Sequence, residues 1–355
     1  MVTITVCAFR NPRGRSNGVD HNRGVLILNT ADMASPHAEG WVDRLERELG
    51  ANWTALRKAR TTTEEKRASL LRAFEGKIAA DTSLVVFGSI AREETTSVSD
   101  ADWILLVDGQ AQPEHSEQRH VIASELVKLG FPEPGRSGVF GRMIGSHNIV
   151  HEIGGEDDTN SNTTRRVLLL LESFPVGNRE AYDRVRRQIL KRYLNDDRGL
   201  TRTSSAIRVP RFLLNDLTRY WRTVTVDFVY KQRAEAATAR EHLTSPRHDI
   251  SRLLTYMEGE LAQTPLELLA RAALRPSIGR DTQRGLFDSY NSFLAILDDE
   301  KKRDALKTMT EEEMATSAVW REIRAISHAF HSGLKNLFFG DDEELRELST
   351  NYGVF

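Results

Sequence analysis

Cysteine is almost absent, with Cys7 the single thiol in 355 residues. One thiol builds neither a disulfide framework nor a thiolate metal cluster. Long apolar runs are missing too. None approaches the roughly 20 residues that a membrane-spanning helix needs, so no membrane partner is expected. The opening residues carry Arg10, Arg13 and Arg15 but no apolar core ahead of a cleavage site, and a cytoplasmic location is the expectation. Charge of one sign is also lacking: the formal net charge is −2. Nothing pulls the whole chain toward nucleic acid or membrane, which leaves only a local basic face open. There is no internal repeat, no low-complexity tract and no recognisable RNA-binding module. The remaining composition is that of a globular protein, in a chain longer than one compact domain usually holds, so two domains are expected.

The chemistry concentrates in residues 84–108, LVVFGSIAREETTSVSDADWILLVD. Two short apolar runs, 84–87 and 103–107, have the length and Val/Ile/Leu content of buried strands. Gly88-Ser89 ends the first, and Asp100-Ala101-Asp102 leads into the second. Residues two apart on an extended chain point to the same side, so Asp100 and Asp102 project together. Two neighbouring carboxylates repel unless a cation lies between them, and hard oxygen donors suit Mg²⁺. Gly88 permits a close backbone approach, and Ser89 adds a hydroxyl beside the amides of a helix start, a cradle for phosphate.

Gly-Ser, about ten residues, then Ser-Asp-x-Asp at the head of an apolar strand resembles the polymerase-beta-like nucleotidyltransferase superfamily. The residues carrying the resemblance are Gly88, Ser89, Asp100 and Asp102. The phrase Gly88-Ser89-Ile90-Ala91-Arg92-Glu93-Glu94 is similar to the branch of bacterial protein-modifying uridylyltransferases and their uncharacterised relatives. The resemblance implies NMP transfer from an NTP, ATP by default, to a hydroxyl on a protein or RNA acceptor, with Mg²⁺ or Mn²⁺ as cofactor. It also implies a third carboxylate from a neighbouring strand. Glu152 is the candidate; a rival register puts Asn148 there and leaves two acids.

The fold class expected is α+β: a nucleotidyltransferase domain with a small mixed sheet flanked by helices, then an all-helical domain. The bounds are 1–37 for an N-terminal extension, 38–175 for the catalytic domain and 176–355 for the helical one. Val2, Ile4 and Val6 alternate as in an edge strand, followed by a Gly/Asn/Arg-rich loop at 11–24 that reads as mobile. Trp41, Val42, Leu45 and Leu49 mark a first helix. Residues 62–65, Thr-Thr-Glu-Glu, read as the start of a second, with Leu70, Leu71, Phe74 and Ile78 on it. Val121, Leu126 and Leu129 mark a helix ending near Gly130. Residues 137–142 read as a bulged strand or a loop over the site, and 148–153 as the third strand. Glu156 to Asn162, with Asp157 and Asp158, read as a solvated acidic loop, and a buried helix starts near Thr163. Beyond 175 the periodicity is helical throughout: a helix ending near Leu194, one opened by Pro210, then 249–262, 265–274, 281–298, 310–338 and 341–349.

Several cations are candidates for nucleotide binding. Arg165 and Arg166 oppose the dipole at a helix start, so they answer either the acidic loop or a bound triphosphate. Arg219 and Arg222 are placed to clamp phosphate from the helical domain, or else to pair with Asp216 or Asp227. Arg92 is within reach of a phosphate or lies on an exposed turn. His151 is read as a structural histidine and Trp103 as core. Two other readings stand beside the transferase: a nucleotide-binding regulatory module without turnover, and a toxin or defence module acting on tRNA.

Overall fold

The computed structural model describes residues 39–97, 99–131, 139–196, 211–234 and 264–352. The expected edge strand at 2–6, the loop after it, Pro210 and the helix at 249–262 lie outside these residues.

Four strands form one mixed sheet in the order β3-β2-β1-β4. They are β1 (Thr82–Phe87), β2 (Trp103–Val107), β3 (Arg142–Gly145) and β4 (Ser173–Val176). β1 runs antiparallel to both β2 and β4, and β3 is parallel to β2. The parallel step requires a crossover, which α4 (Pro113–Lys128) supplies.

β1 and β2 are buried on both faces, hence their continuous apolar sequences. On one face Leu84, Val86, Trp103 and Leu105 meet Leu70 and Phe74 of α2 (Thr54–Phe74) and Ile122 and Leu126 of α4. On the other, Val85, Phe87, Ile104, Leu106 and Ile144 meet Ile149 of α5 (Ser146–His151), the 167–170 run of α6 (Asn160–Leu171) and Val185 and Ile189 of α7 (Arg179–Asp196). Leu217 of α8 (Arg211–Ala234) joins that second core.

A third core is wholly helical. Val42, Leu45 and Leu49 of α1 (Trp41–Leu49) pack with α9 (Pro265–Ala273), α10 (Arg280–Asp298), α11 (Glu300–Thr308), α13 (Ala318–Phe339) and α14 (Glu343–Tyr352). The short α12 (Glu311–Thr316) precedes α13. α10 and α13 cross closely at Gly333, where a Cβ would stand 2.8 Å from Leu286. α2 belongs to two cores: Leu56 and Ala59 sit in the helical one, and Leu70 and Phe74 beneath the sheet.

The small mixed sheet followed by helices agrees with the sequence reading, but several elements differ. α2 starts at Thr54, so Thr62 to Glu65 are interior; Thr63 instead accepts from Thr95 N–H. Residues 148–153 are not a strand. Most of them lie in α5, and the third strand is 142–145, at the end of the Gly-rich segment. A fourth strand, β4, was not foreseen; Pro175 is tolerated there because β4 is an edge. α6 begins at Asn160, capped by the Thr159 side chain. The helix expected over 310–338 is two, α12 and α13, with Ser317 capping the second.

Asp158, expected in a solvated loop, is buried instead. Arg166, fully buried, donates to the Asp158 carboxylate (Nη2–Oδ2, 2.8 Å), to Asp216 of α8 and to the Tyr193 hydroxyl (2.7 Å). Burial opposes the charge, but Asp158, Asp216 and Tyr193 outweigh it and hold the guanidinium protonated above its ordinary range. Arg166→Met would strand two buried carboxylates. A loss of about 3–5 kcal/mol is expected, since breaking a buried ion cluster leaves uncompensated charge. Chemical denaturation reads it, and Arg166→Lys should restore only part, because an ammonium lacks the fork.

Candidate active site

The site begins where β1 ends. β1 and β2 are antiparallel, so the end of one lies beside the start of the other, and Phe87 N–H donates to the Asp102 carbonyl at 2.8 Å. The next residue, Gly88, has φ 67° and ψ −140°, a conformation essentially reserved for glycine. A Cβ there would stand 3.5 Å from Asp102 Oδ2. The turn therefore brings the backbone of Gly88 against the carboxylate of Asp102. Half-buried Ser89 opens the short helix α3 (Ser89–Arg92).

At the other end of α3, Glu93 has φ 64°, the only positive value at a described non-glycine residue. Arg67 of α2 holds this corner by donating to Ile90 O and Ala91 O and pairing with Glu93. Lys66, next to it on α2, donates to Thr96 O (3.3 Å) and Ser99 O (3.4 Å). Burial lowers the Lys66 pKa, and the nearby Asp100 carboxylate opposes that shift. The loop delivering the acid pair is thus tethered to α2. Neither Lys66 nor Arg67 figured in the sequence reading, where no spacing joins them to the motif.

Asp100 and Asp102 precede β2, and burial alternates along them. Ala101 and Trp103 turn into the core under α2 and α4, whereas Asp100 is exposed and Asp102 half-buried. The period of two carries Asp102 to the opposite face, the one Ile104 and Leu106 share with α5, α6 and α7.

That face also carries cations. Arg142 pairs in register with Ile104 across the parallel β2–β3 step, so its side chain leaves the sheet on the acid side. It is exposed, and among the described residues it makes no ion pair. Arg165 of α6 is buried and donates through Nε to Val139 O at 3.0 Å, just before β3. Its pKa is lowered, chiefly by burial and secondly by Arg142. Arg142 was missed in the sequence; the alternation of Arg142 and Ile144 beside Gly141 was its faint signal.

The other candidates lie elsewhere or are engaged. Arg92 is buried between Glu94 (2.9 Å) and Glu172 (2.7 Å), not on an exposed turn. Burial disfavours its charge, and those carboxylates outweigh it to hold the pKa well above the usual range. Arg166 lies in the cluster described above. Arg219 ties α8 to the loop ahead of α6, donating to Asn160 Oδ1 at 2.9 Å and to Asp158 O. Arg222 is exposed on α8. Glu152 caps α5, with one oxygen accepting from Asn148 Nδ2 (3.0 Å) and the other from Asn162 Nδ2 (3.1 Å). The helix therefore joins Asn148 to Glu152 instead of making them rivals in one strand register. His151 packs against His147, the rings tilted and their centroids 5.1 Å apart. Among the described residues no three His, Cys, Asp or Glu side chains converge as a metal site.

The chain's own donors still suit a hard cation. The Asp102 carboxylate lies beside a glycine with no Cβ in the way, with a second aspartate two residues before it, and Mg²⁺ is commonly held by one or two carboxylates together with substrate phosphates.

Residues 45–137 match the family described as "Putative nucleotidyltransferase DUF294". The match takes in Gly88, Ser89, Asp100 and Asp102, ends before β3, and relates the chain to the nucleotidyltransferase superfamily. It supports nucleotidyl transfer as the general chemistry. A comparison with curated proteins returns no match.

The turn geometry ranks two substitutions. Ser89→Ala removes one hydrogen bond, typically about 1 kcal/mol. Gly88→Val forces a β-branched residue into a strained conformation, itself on the order of 1–3 kcal/mol, and places its methyls against Asp102. Gly88→Val is expected to be the more damaging to nucleotide binding and to melting temperature. The opposite ranking would mean the turn works differently.

Proposed function

We propose that this chain transfers a nucleoside monophosphate from a nucleoside triphosphate to an acceptor hydroxyl and releases pyrophosphate. The observation that carries the reading is the approach of Gly88 to Asp102 Oδ2 at the shared end of β1 and β2, two residues after Asp100. ATP is the default donor by abundance, and the acceptor is a protein or RNA hydroxyl.

The acceptor oxygen forms a bond to the α-phosphorus while the bond from that phosphorus to the bridging oxygen breaks. Pyrophosphate leaves with the electron pair, and the hydroxyl proton passes to a carboxylate oxygen of the pair or to water. Gly88 lets the phosphate chain lie close to the backbone, and Ser89 offers its hydroxyl to a phosphate oxygen. A divalent cation, Mg²⁺ or Mn²⁺, held by Asp100 and Asp102 would supply charge neutralisation on the phosphate oxygens and polarise the attacked phosphorus. Lys66 and Arg67 act at a distance, fixing the loop that sets the direction of Asp100.

A second reading has one observation in its favour. Neither β1, β2, β3 nor β4 contains a carboxylate, and Glu152 is engaged with two amides. A two-acid site fits a module that binds nucleotide without turning it over. Incubation with labelled NTPs and Mg²⁺ or Mn²⁺ separates the two, because only the transferase releases pyrophosphate. Mass spectrometry of lysate treated with the protein and labelled NTP then identifies what gains the nucleotide.

Asp100→Ala and Asp102→Ala are each expected to reduce transfer by at least about a hundredfold, the scale of losing one electrostatic contact to a developing charge. The circular dichroism of both should match the parent. Activity equal to the parent in either variant would remove the reading. Glu152→Gln keeps one accepting oxygen and is expected to retain both NTP binding and most of the transfer. A variant that binds NTP yet transfers nothing would make Glu152 a participant in the chemistry.

A further inference from the structure

We propose that Arg142, with Arg165 behind it, forms the subsite that receives the polyphosphate chain of the nucleotide. This inference rests on the nucleotidyl-transfer reading and adds to it the residues that hold the leaving group. Three observations converge. The first is placement. Arg142 is registered with Ile104, two residues after Asp102, and all three side chains leave the same face of the sheet. With strands about 4.8 Å apart and a rise of about 3.3 Å per residue, the Cα atoms of Arg142 and Asp102 lie about 8 Å apart. A flexible arginine covers that span.

The second observation is availability. Arg142 is exposed and makes no ion pair among the described residues. The other arginines at this end of the sheet are engaged: Arg67 with α3, Arg92 with Glu94 and Glu172, and Arg119 with Gly141 O. The third is electrostatic. Arg165 is buried near Arg142, and the charge of Arg142 adds to burial in disfavouring that of Arg165. An anion lying over Arg142 would relieve that repulsion. None of the four strands provides one, since β3 carries Arg142 on the face where a carboxylate would otherwise approach the acid pair. A surface arginine alone is ordinarily a solvated group. What distinguishes Arg142 is a second, buried cation on one side and an acid pair on the other, an alternation that fits a chain of phosphates reaching away from a bound cation. The planar fork of arginine suits paired phosphate oxygens.

The test uses inorganic tripolyphosphate as probe and the full chain, with binding measured by calorimetry in chelator and again with Mg²⁺. Arg142→Ala is expected to weaken binding by about tenfold or more in both buffers. Arg142→Glu should abolish it, and Arg142→Lys should fall between, keeping the charge without the fork. Arg184→Ala, which breaks an ion pair with Asp108 at the far end of β2, controls for total charge and should bind like the parent. Arg142 is exposed, so unchanged melting curves are expected. Equal binding by the parent and Arg142→Ala overturns the subsite, as does an equal loss in Arg184→Ala or a parent chain that binds no tripolyphosphate. Pyrophosphate release from NTP is scored separately. Tripolyphosphate binding that depends on Arg142 without any release would sink the transfer reading and leave the subsite. Transfer that is indifferent to Arg142 would do the reverse.

Discussion

One backbone hydrogen bond, from Phe87 N–H to the Asp102 carbonyl, fixes where everything else at the site must be. It closes the antiparallel pairing of β1 and β2 at the end where one strand leaves and the other enters. Because side chains alternate with a period of two, this pairing decides which face Asp102 takes. A one-residue slip would turn the acids into the core beneath α2 and α4 and bring Trp103 out. Such a slip is opposed along both strands. Leu84, Val86, Trp103 and Leu105 fill one core, while Val85, Phe87, Ile104 and Leu106 fill the other. The carboxylates keep their positions because the apolar residues around them have only one register that buries both sets.

The arginines sort by a similar logic. A guanidinium inside the fold needs carboxylates or carbonyls to offset the loss of water. Arg92 has Glu94 and Glu172; Arg166 has Asp158, Asp216 and Tyr193. These clusters join segments distant in sequence: the first ties the helix after Gly88 to the residue before β4, the second ties the loop ahead of α6 to α8. Their charges are answered within the protein, so they serve the frame. Arg142 differs because it is exposed and makes no ion pair among the described residues.

Much of this was legible in the chain. The apolar runs at 84–87 and 103–107 with Gly-Ser between them imposed two strands and a turn, because each depends on local pattern. The helical second half was equally plain in its periodicity. What failed was the short segment 148–153, where Asn-Ile-Val-His-Glu-Ile has the β-branched content of a strand. The structure makes most of it helix, because Ile149 and Val150 are adjacent in sequence and both buried against the sheet. A strand would have turned one of them out. β4 was hidden by Pro175, which is unfavourable in a central strand and harmless on an edge. The roles of Arg92 and Arg166 depend on partners 80 and 50 residues away, a separation at which no local pattern informs.

The helix α2 carries a consequence of its own. Its first half is packed in the helical core through Leu56 and Ala59, and its second half lies beneath the sheet through Leu70 and Phe74. At 1.5 Å per residue, Leu56 and Leu70 are separated by about 21 Å along one rigid element. Between them, Lys66 and Arg67 reach the loop and corner that lie between Gly88 and Asp100. The acid pair is therefore steadied from two directions: by the sheet register at Asp102, and at Asp100 by a helix whose other end is gripped by α10. Those grips are specific, since the Asn291 side chain accepts from both Ala55 and Leu56 N–H groups at the first turn of α2, where four amides would otherwise lack partners. The helical half is thus part of what holds the loop of Asp100 in place, by way of a single continuous helix.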